Sequence, residues 1–186
     1  MYVRDAKNRE EVWLLDRLDD FGFEDTAFRS RDYLLAIDET TGEKAGFGRL
    51  RVHRTPEGEV CEVTNLGVLE PYREQGVGAQ LLQRLIERAR DDGFETVYGM
   101  SPAPAYLEQF GFEPVEPAAL PEPLQKRFQQ IEGQSSSASP VVVSIEEFGV
   151  PRRLRRRFTD EDDSEEQAED FGIDPDSATY KYDVDQ

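Results

Sequence analysis

The segment Arg73 to Ala79 has the composition of an anion-binding turn. It carries two glycines, Gly76 and Gly78, between an apolar run that ends at Leu69 and a strongly amphipathic helical pattern. Amides at the start of a helix lack an intrahelical partner, and the helix dipole adds partial positive charge, so phosphate oxygens are favoured there. Glycine also lets the main chain approach a ligand closely. The spacing therefore predicts a phosphate-binding turn between a strand and a helix.

The turn matches neither of two common nucleotide motifs. No Gly-Lys-Ser/Thr follows it, as a P-loop requires, and the dinucleotide fingerprint needs a third glycine and an acidic residue about twenty positions later. The stretch Leu66 to Leu82 instead resembles the acetyl-CoA-binding segment of the GNAT acyltransferases, in which Q/R-x-x-G-x-G/A follows a V-x-P-x-Y-R lead-in. The resemblance implies an α/β (α+β) fold: a mixed, mostly antiparallel twisted sheet of about six or seven strands with about four flanking helices and a V-shaped cofactor slot.

The same resemblance assigns ligand-binding residues. It implies acetyl-CoA as the co-substrate, without a metal, and gives the main chain of Leu66 and Val68 to the pantetheine arm. The Val68 amide would also stabilise the oxyanion that develops during acetyl transfer. The groups that the resemblance assigns to the pyrophosphate are Arg73 and the main-chain amides of Gln75, Gly76, Val77, Gly78 and Ala79.

Glu62 is the candidate general base. It is a charged residue inside the apolar run Val60 to Leu69, six positions before Val68, where the histone-acetyltransferase branch of the family carries a catalytic glutamate. A lysine-like amine has a pKa near 10.4, so a base that removes its proton raises the reactive fraction. Strand alternation puts Glu62 on the face opposite Glu59. The alternative interpretation of Glu62 is a solvated strand carboxylate without a catalytic role.

Tyr106 is the second catalytic candidate, and it departs from the family pattern. Many GNAT enzymes read F-Y-x-x-x-G-F here and use that tyrosine as the general acid for the thiolate. In this chain Leu107 stands in the tyrosine column and Tyr106 one place earlier. One residue along a helix is a rotation of about 100°, so Tyr106 is either an acid or simply a core residue. This stretch, followed by Leu120-Pro121 and a delayed last strand, resembles the branch related to N-acetylglutamate synthase.

Alternating strand and helix patterns must position these residues. The predicted elements are strand 2–5, helix 8–20, strands 33–38, 45–53 and 60–69, helix 77–92, strand 96–100, helix 103–110, a strand opening at 111–115 and a last strand at 140–145. We expect the first helix to bury Val12, Leu15 and Leu18. Residues 117–139 are predicted to be an insert with a helix at 123–131 and a flexible linker from Gly133. The resulting GNAT domain covers residues 1–149.

Residues 150–186 lie outside the resemblance. Arg152 to Arg157 is an arginine run followed closely by Asp160 to Asp163, which predicts a partly disordered tail whose own charges pair. A nucleic-acid patch is disfavoured, because the neighbouring acids would repel phosphates. The segment 179–184 alternates like a strand that could dock on a sheet edge of its own or another subunit, so a homodimer is one conceivable assembly.

The composition limits which other classes of partner the chain can bind. With 40 acidic and 22 basic residues the net charge is −18, and only four of the basic residues are lysines. This balance resembles that of proteins from halophilic, salt-accumulating organisms. At molar salt the Debye length is about 3 Å, so charges on the protein would not attract a substrate over a long range. We therefore interpret the net charge as a sign of habitat more than of substrate. We expect no nucleic-acid or membrane partner and a cytoplasmic location, because the chain shows neither a spanning run nor a signal-peptide core.

The single histidine and single cysteine disfavour catalytic triads and zinc sites. We expect Cys61 to be a small core residue and His53 to lie at the surface or a strand edge. The combined prediction is an acetyl-CoA-dependent N-acetyltransferase acting on the primary amine of a small molecule or amino acid. Two alternatives remain: a protein lysine or N-terminal acetyltransferase, and a non-catalytic acyl-CoA sensor module, which Leu107 favours.

Overall fold

The computed structural model describes residues 1–25, 27–133 and 137–157, which contain seven strands and five α-helices. The strands are β1 (Tyr2–Asp5), β2 (Tyr33–Ile37), β3 (Lys44–Thr55), β4 (Gly58–Val68), β5 (Thr96–Ser101), β6 (Glu113–Pro114) and β7 (Ser139–Ser144). The helices are α1 (Glu11–Asp20), α2 (Val77–Asp91), α3 (Pro104–Glu108), α4 (Glu122–Glu132) and α5 (Arg152–Arg155).

All seven strands form one sheet in the order β1-β2-β3-β4-β5-β7-β6. The β4–β5 pair is parallel and the other pairs are antiparallel. The predicted fold class, a mixed and mostly antiparallel sheet with flanking helices, is confirmed.

The parallel pair separates soon after it forms. Its register joins Cys61 to Val97, Glu62 to Tyr98 and Val63 to Gly99, and no later pairing joins these strands within the described residues. Both strands continue, β4 to Val68 and β5 to Ser101. They therefore diverge beyond Val63 and leave the predicted slot between them.

The two faces of the sheet carry different helices. The α2 face packs Leu81, Leu82 and Leu85 against a core that includes Cys61, which is buried as predicted. The α1/α4 face, on the other side, is covered at one end by Leu14 and Leu18 of α1. At its other end it is covered by Leu124 and Phe128 of α4. Between these apolar ends lie the polar side chains of the middle of β3 and β4.

The burial predicted for the first helix is partly wrong. Leu18 is buried, but Val12 and Leu15 are 70% and 43% exposed, and Leu14 is buried in their place. The reason is the start of the helix, where a 3-10 turn precedes α1. The Glu10 carboxylate accepts hydrogen bonds from Arg4 and from the Lys7 amide, and this fixes the rotation at which α1 begins.

The insert and the segment after β7 complete the described part. Helix α4 forms inside the predicted insert, and β7 pairs with both β5 and β6. Helix α5 packs on the domain through buried Leu154, and Val150 just before the helix is buried as well. Residues 134–136 of the predicted linker and the predicted strand at 179–184 lie outside the described residues. In the part that is described, none of the helices combines the length and the apolar character that crossing a bilayer requires.

Candidate acetyl-transfer site

The turn before α2 has the backbone geometry of an anion nest. Glu74 and Gly76 have left-handed backbones, with φ of 63° and 79°. The first helical hydrogen bond runs from the Gln80 amide to the Gly76 carbonyl, at 3.0 Å. Within the described residues, the amides of residues 75–79 donate to no protein acceptor. Successive unpaired amides of this kind form a concave site for an anion, so the turn fits a pyrophosphate group.

Gly78 is the point where three elements meet. A Cβ atom at this position would lie 3.0 Å from the Tyr106 hydroxyl oxygen and 3.6 Å from Val68 Cγ2. The first turn of α2, helix α3 and the end of β4 therefore converge here. A side chain at this position would push the Tyr106 hydroxyl away by a few tenths of an ångström.

Arg73 bridges the turn to β4. Its Nε donates to the Val68 carbonyl at 3.3 Å, and its side chain is exposed. The end of β4 is irregular, because its register with β3 shifts between Phe47 and Arg49, and Asn65 opposite this shift has a φ of 50°. The structure thus brings together the predicted cofactor residues of the turn, Val68 and, across the irregularity, Leu66.

A buried polar network holds the irregular end of β4. Asn65 Nδ2 donates to the Tyr33 hydroxyl at 2.9 Å, and this hydroxyl donates to Asp25 at 2.6 Å. Arg49 binds Asp25 at 2.6 Å and Asp32 at 3.0 Å. The sequence pattern did not predict this network. The available signal was a charged residue, Arg49, among the apolar residues from Ala45 to Leu50.

Glu62 lies on the α1/α4 face at the point where β4 and β5 diverge. Its side chain is 0% exposed, so the interpretation of a solvated carboxylate is wrong. Arg127 of α4 donates from Nε to the carboxylate at 2.8 Å. His53 Nε2 lies 3.0 Å from Glu62 Oε1. The insert therefore supplies the main charge partner of the predicted base.

The prediction of His53 as a surface or strand-edge residue is wrong. Its side chain is 9% exposed and shares Glu62 with Arg127. The register pairs His53 with Val60, two residues before Glu62, so the two side chains lie on the same face and reach each other diagonally. Spacing within one strand could not reveal a neighbour on the next.

Arg51 stands directly opposite Glu62 in the β3–β4 register, on the same face. Burial, and then the nearby charges of Arg127 and Arg49, lower the pKa of Arg51, whereas the charge of Glu62 opposes that effect. Within the described residues the side chain of Arg51 makes no hydrogen bond or ion pair. Arg49 is paired with Asp25 and Asp32, and Arg127 is paired with Glu62. Arg51 is therefore the arginine of this group whose donors are unused within the described residues.

Tyr106 and Leu107 point in different directions. Leu107 is buried in the core next to Gly99, whereas the Tyr106 hydroxyl lies over Gly78 at the turn. Burial raises the pKa of Tyr106, and the charge of Arg153 opposes this rise. The departure from the family pattern thus places the tyrosine, and not the leucine, beside the predicted cofactor turn. Its role as an acid stays a prediction.

No group of three histidine, cysteine, aspartate or glutamate side chains in the described residues is arranged to hold a metal ion.

Comparison with protein families gives a match over residues 2–112 to the model of the acetyltransferase (GNAT) family. Among solved structures, N-acetylglutamate synthase from Neisseria gonorrhoeae, complexed with coenzyme A and N-acetylglutamate, is similar with a TM-score of 0.63 and 18% identity. That alignment covers 77% of this chain and 34% of the synthase, so the chain spans about a third of that protein's length.

Two further structures show the same fold. Rv2747 from Mycobacterium tuberculosis, in complex with CoA, has a TM-score of 0.65 at 14% identity, covering 77% of this chain and 99% of that one. Glucosamine-6-phosphate N-acetyltransferase from Arabidopsis thaliana has a TM-score of 0.51 at 12% identity, covering 61% and 92%.

Proposed function

Because the chain belongs to the GNAT family of acetyltransferases, we propose that it moves the acetyl group of acetyl-CoA to the primary amine of a small molecule. The proposed acceptor class is an amino acid or another carboxylate-bearing amine. At the level of the family, the predictions of an N-acetyltransferase and of acetyl-CoA as co-substrate are confirmed. The acceptor and the roles of individual residues are the proposal.

The observation that carries the proposal is the placement of Glu62. Its buried carboxylate lies where β4 and β5 diverge, on the face opposite α2. The phosphate turn belongs to α2, so the donor approaches from the α2 side. This leaves the α1/α4 face, where Glu62 and the insert helix lie, for the acceptor.

Each step of the transfer has a candidate group. Acetyl-CoA supplies the acetyl group as a thioester, and the amine nitrogen forms the new C–N bond as the C–S bond breaks. We assign Glu62 as the general base that takes the amine proton, through a water because the carboxylate is fully buried. We assign Tyr106 as the acid that protonates the departing thiolate, and the Val68 amide as an oxyanion donor.

Arg51 supports the acceptor class. Its side chain lies beside Glu62 without a hydrogen-bonding partner in the described residues, although the chain is strongly acidic. A partly buried guanidinium whose donors are unused is costly, and a carboxylate matches its planar donors. An acceptor that carries both an amine and a carboxylate would satisfy Glu62 and Arg51 together.

The test measures thiol release from acetyl-CoA with panels of amino acids, polyamines and peptides, at low and at high salt. We expect turnover on amino acids, and a fall in kcat of about 100-fold or more in Glu62→Gln, with unchanged acetyl-CoA affinity. Glu59→Gln, on the same strand and exposed, is the matched control and should retain activity. If Glu62→Gln keeps full activity, Glu62 is not the base.

Arg51→Gln tests the acceptor class. It should raise the KM for carboxylate-bearing amines by about 10-fold or more, and leave the KM for amines without a carboxylate within about 2-fold. An equal effect on both sets would remove Arg51 from acceptor recognition. Tight acetyl-CoA binding without turnover on any panel would favour the sensor alternative, and turnover only on peptides would favour a protein acetyltransferase.

A further inference from the structure

The arginines of α5 and the residues just after it lie beside the phosphate turn, although they are outside the region that the family model matches. Arg157 Nη1 donates to the main-chain carbonyl of Glu74 at 2.7 Å. Glu74 is the first of the two left-handed residues of the turn. One guanidinium of the C-terminal segment therefore rests directly on the anion nest.

A second arginine of this segment contacts the region of α3. Arg153 Nη2 donates to the Gln109 side-chain oxygen just after α3, and its charge acts on Tyr106. The Tyr106 hydroxyl in turn lies over Gly78. Arg157 and Arg153 thus contact the two elements that border the start of α2: the turn and the α3 region.

The core anchors this segment. Leu154 lies between the two arginines in sequence and is buried among the residues that pack on α2, together with Val150. The Gly149 amide donates to the Phe110 carbonyl at 3.0 Å, which fixes the chain just before α5. These contacts hold the backbone that carries both arginines against the domain.

Within the described residues, neither of these two arginines has a carboxylate partner. Their partners are an amide oxygen and a main-chain carbonyl, and within the described residues no carboxylate lies within 4.0 Å of either one. The chain carries 40 acidic residues, so two arginines of one short segment that lack a carboxylate partner in the described part of the chain are not expected from composition. A guanidinium that uses one donor on a neutral oxygen keeps others for an anion.

We propose that Arg153 and Arg157 bind the 3′-phosphate of coenzyme A, while the amides of the turn hold the pyrophosphate. Coenzyme A differs from 3′-dephospho-CoA by this single phosphomonoester, which carries close to two negative charges at neutral pH. Paired guanidinium groups suit such a dianion, because each can donate two parallel hydrogen bonds to its oxygens. The C-terminal segment is then part of the cofactor site.

The test compares the affinities of CoA and 3′-dephospho-CoA by calorimetry on the full chain, at the lowest salt at which circular dichroism shows the native fold. Wild-type protein should bind CoA at least about 10-fold more tightly than 3′-dephospho-CoA. The double variant Arg153→Gln/Arg157→Gln should reduce this preference to about 2-fold or less by weakening CoA, with little change for 3′-dephospho-CoA.

The matched control is Arg9→Gln/Arg54→Gln, which removes the same charge from two exposed arginines outside the turn and α5. It should keep the wild-type preference. If the double variant of the α5 region also keeps it, or if wild type does not discriminate, the inference is wrong while the proposed function stands. If neither ligand binds the wild type, the proposed donor itself fails.

Discussion

Replacing the arginine that covers Glu62 should destabilise the protein by about 3 kcal/mol. Arg127 Nε lies 2.8 Å from the Glu62 carboxylate, whose side chain is 0% exposed, whereas that of Arg127 is 21% exposed. Deleting one partner of a buried pair costs about 3 to 5 kcal/mol, because the other charge stays buried without compensation. We expect the lower end for Arg127→Met, because the partial exposure of Arg127 lets water approach the carboxylate.

The double variant Glu62→Gln/Arg127→Met separates the charge from the packing. It removes both charges, and methionine retains much of the apolar stem of arginine. Its loss should be about 1 to 2 kcal/mol, smaller than that of Arg127→Met alone, because no buried carboxylate is left without its ion-pair partner. The measurement is equilibrium urea unfolding at one fixed salt concentration, followed by circular dichroism and by the fluorescence of the single tryptophan, Trp13.

Lys126→Met is the control on the same helix. Lys126 pairs with Glu122, but both side chains are 70% exposed, so its loss should cost under about 1 kcal/mol. A loss of less than about 1 kcal/mol in Arg127→Met would refute the assignment of a buried ion pair. A double variant less stable than Arg127→Met would refute it too, since then the charge on Glu62 would not be the source of the cost.

Three other predictions use separate features. Gly76→Val places a β-branched residue at a φ of 79°. The affinity for acetyl-CoA should therefore fall at least about 10-fold in a titration, while the far-ultraviolet circular dichroism spectrum is retained. Unchanged affinity would show that the turn is not part of the cofactor site. Burial raises the pKa of Cys61 to about 12, so a thiol reagent at pH 8 should modify it only after unfolding, and labelling of native protein would contradict its burial. The hydrogen bond from Arg4 holds the pKa of Glu10 at about 2. Glu10→Gln should therefore lower the free energy of unfolding by about 2 to 3 kcal/mol at neutral pH, and by progressively less as pH falls from about 4.5 towards 2. A loss of stability that does not depend on pH would contradict this.

The phosphate turn and its flanking elements were predictable because their signals are local. The start of α2 at Val77 follows from Gly76 and from the apolar repeat that begins there, and the helix ends within one residue of the predicted end. The three strands before it are bounded by turn residues. Here each element is specified by residues within a few positions of its own ends.

The surroundings of Glu62 could not be predicted in the same way. The base itself was found as a charge in an apolar strand, but its partners come from β3 and from an insert helix 65 residues later. A single sequence contains no register between strands, so neither His53 nor Arg127 could be connected to Glu62. The buried face of α1 was predicted wrongly for a similar reason, because Arg4, the partner of Glu10, lies on another element.

Three arginines, Arg51, Arg153 and Arg157, have no carboxylate partner within the described residues, and the composition bears on what they can bind. Of the 22 basic residues only four are lysines, so most of the positive charge in this chain is carried by planar guanidinium groups. In molar salt, where the Debye length is about 3 Å, a lysine acting as a point charge loses most of its reach. A guanidinium keeps its directional hydrogen bonds at contact distance. Arg51, Arg153 and Arg157 would therefore still recognise a carboxylate or a phosphate by direct contact in the saline habitat that the composition predicts.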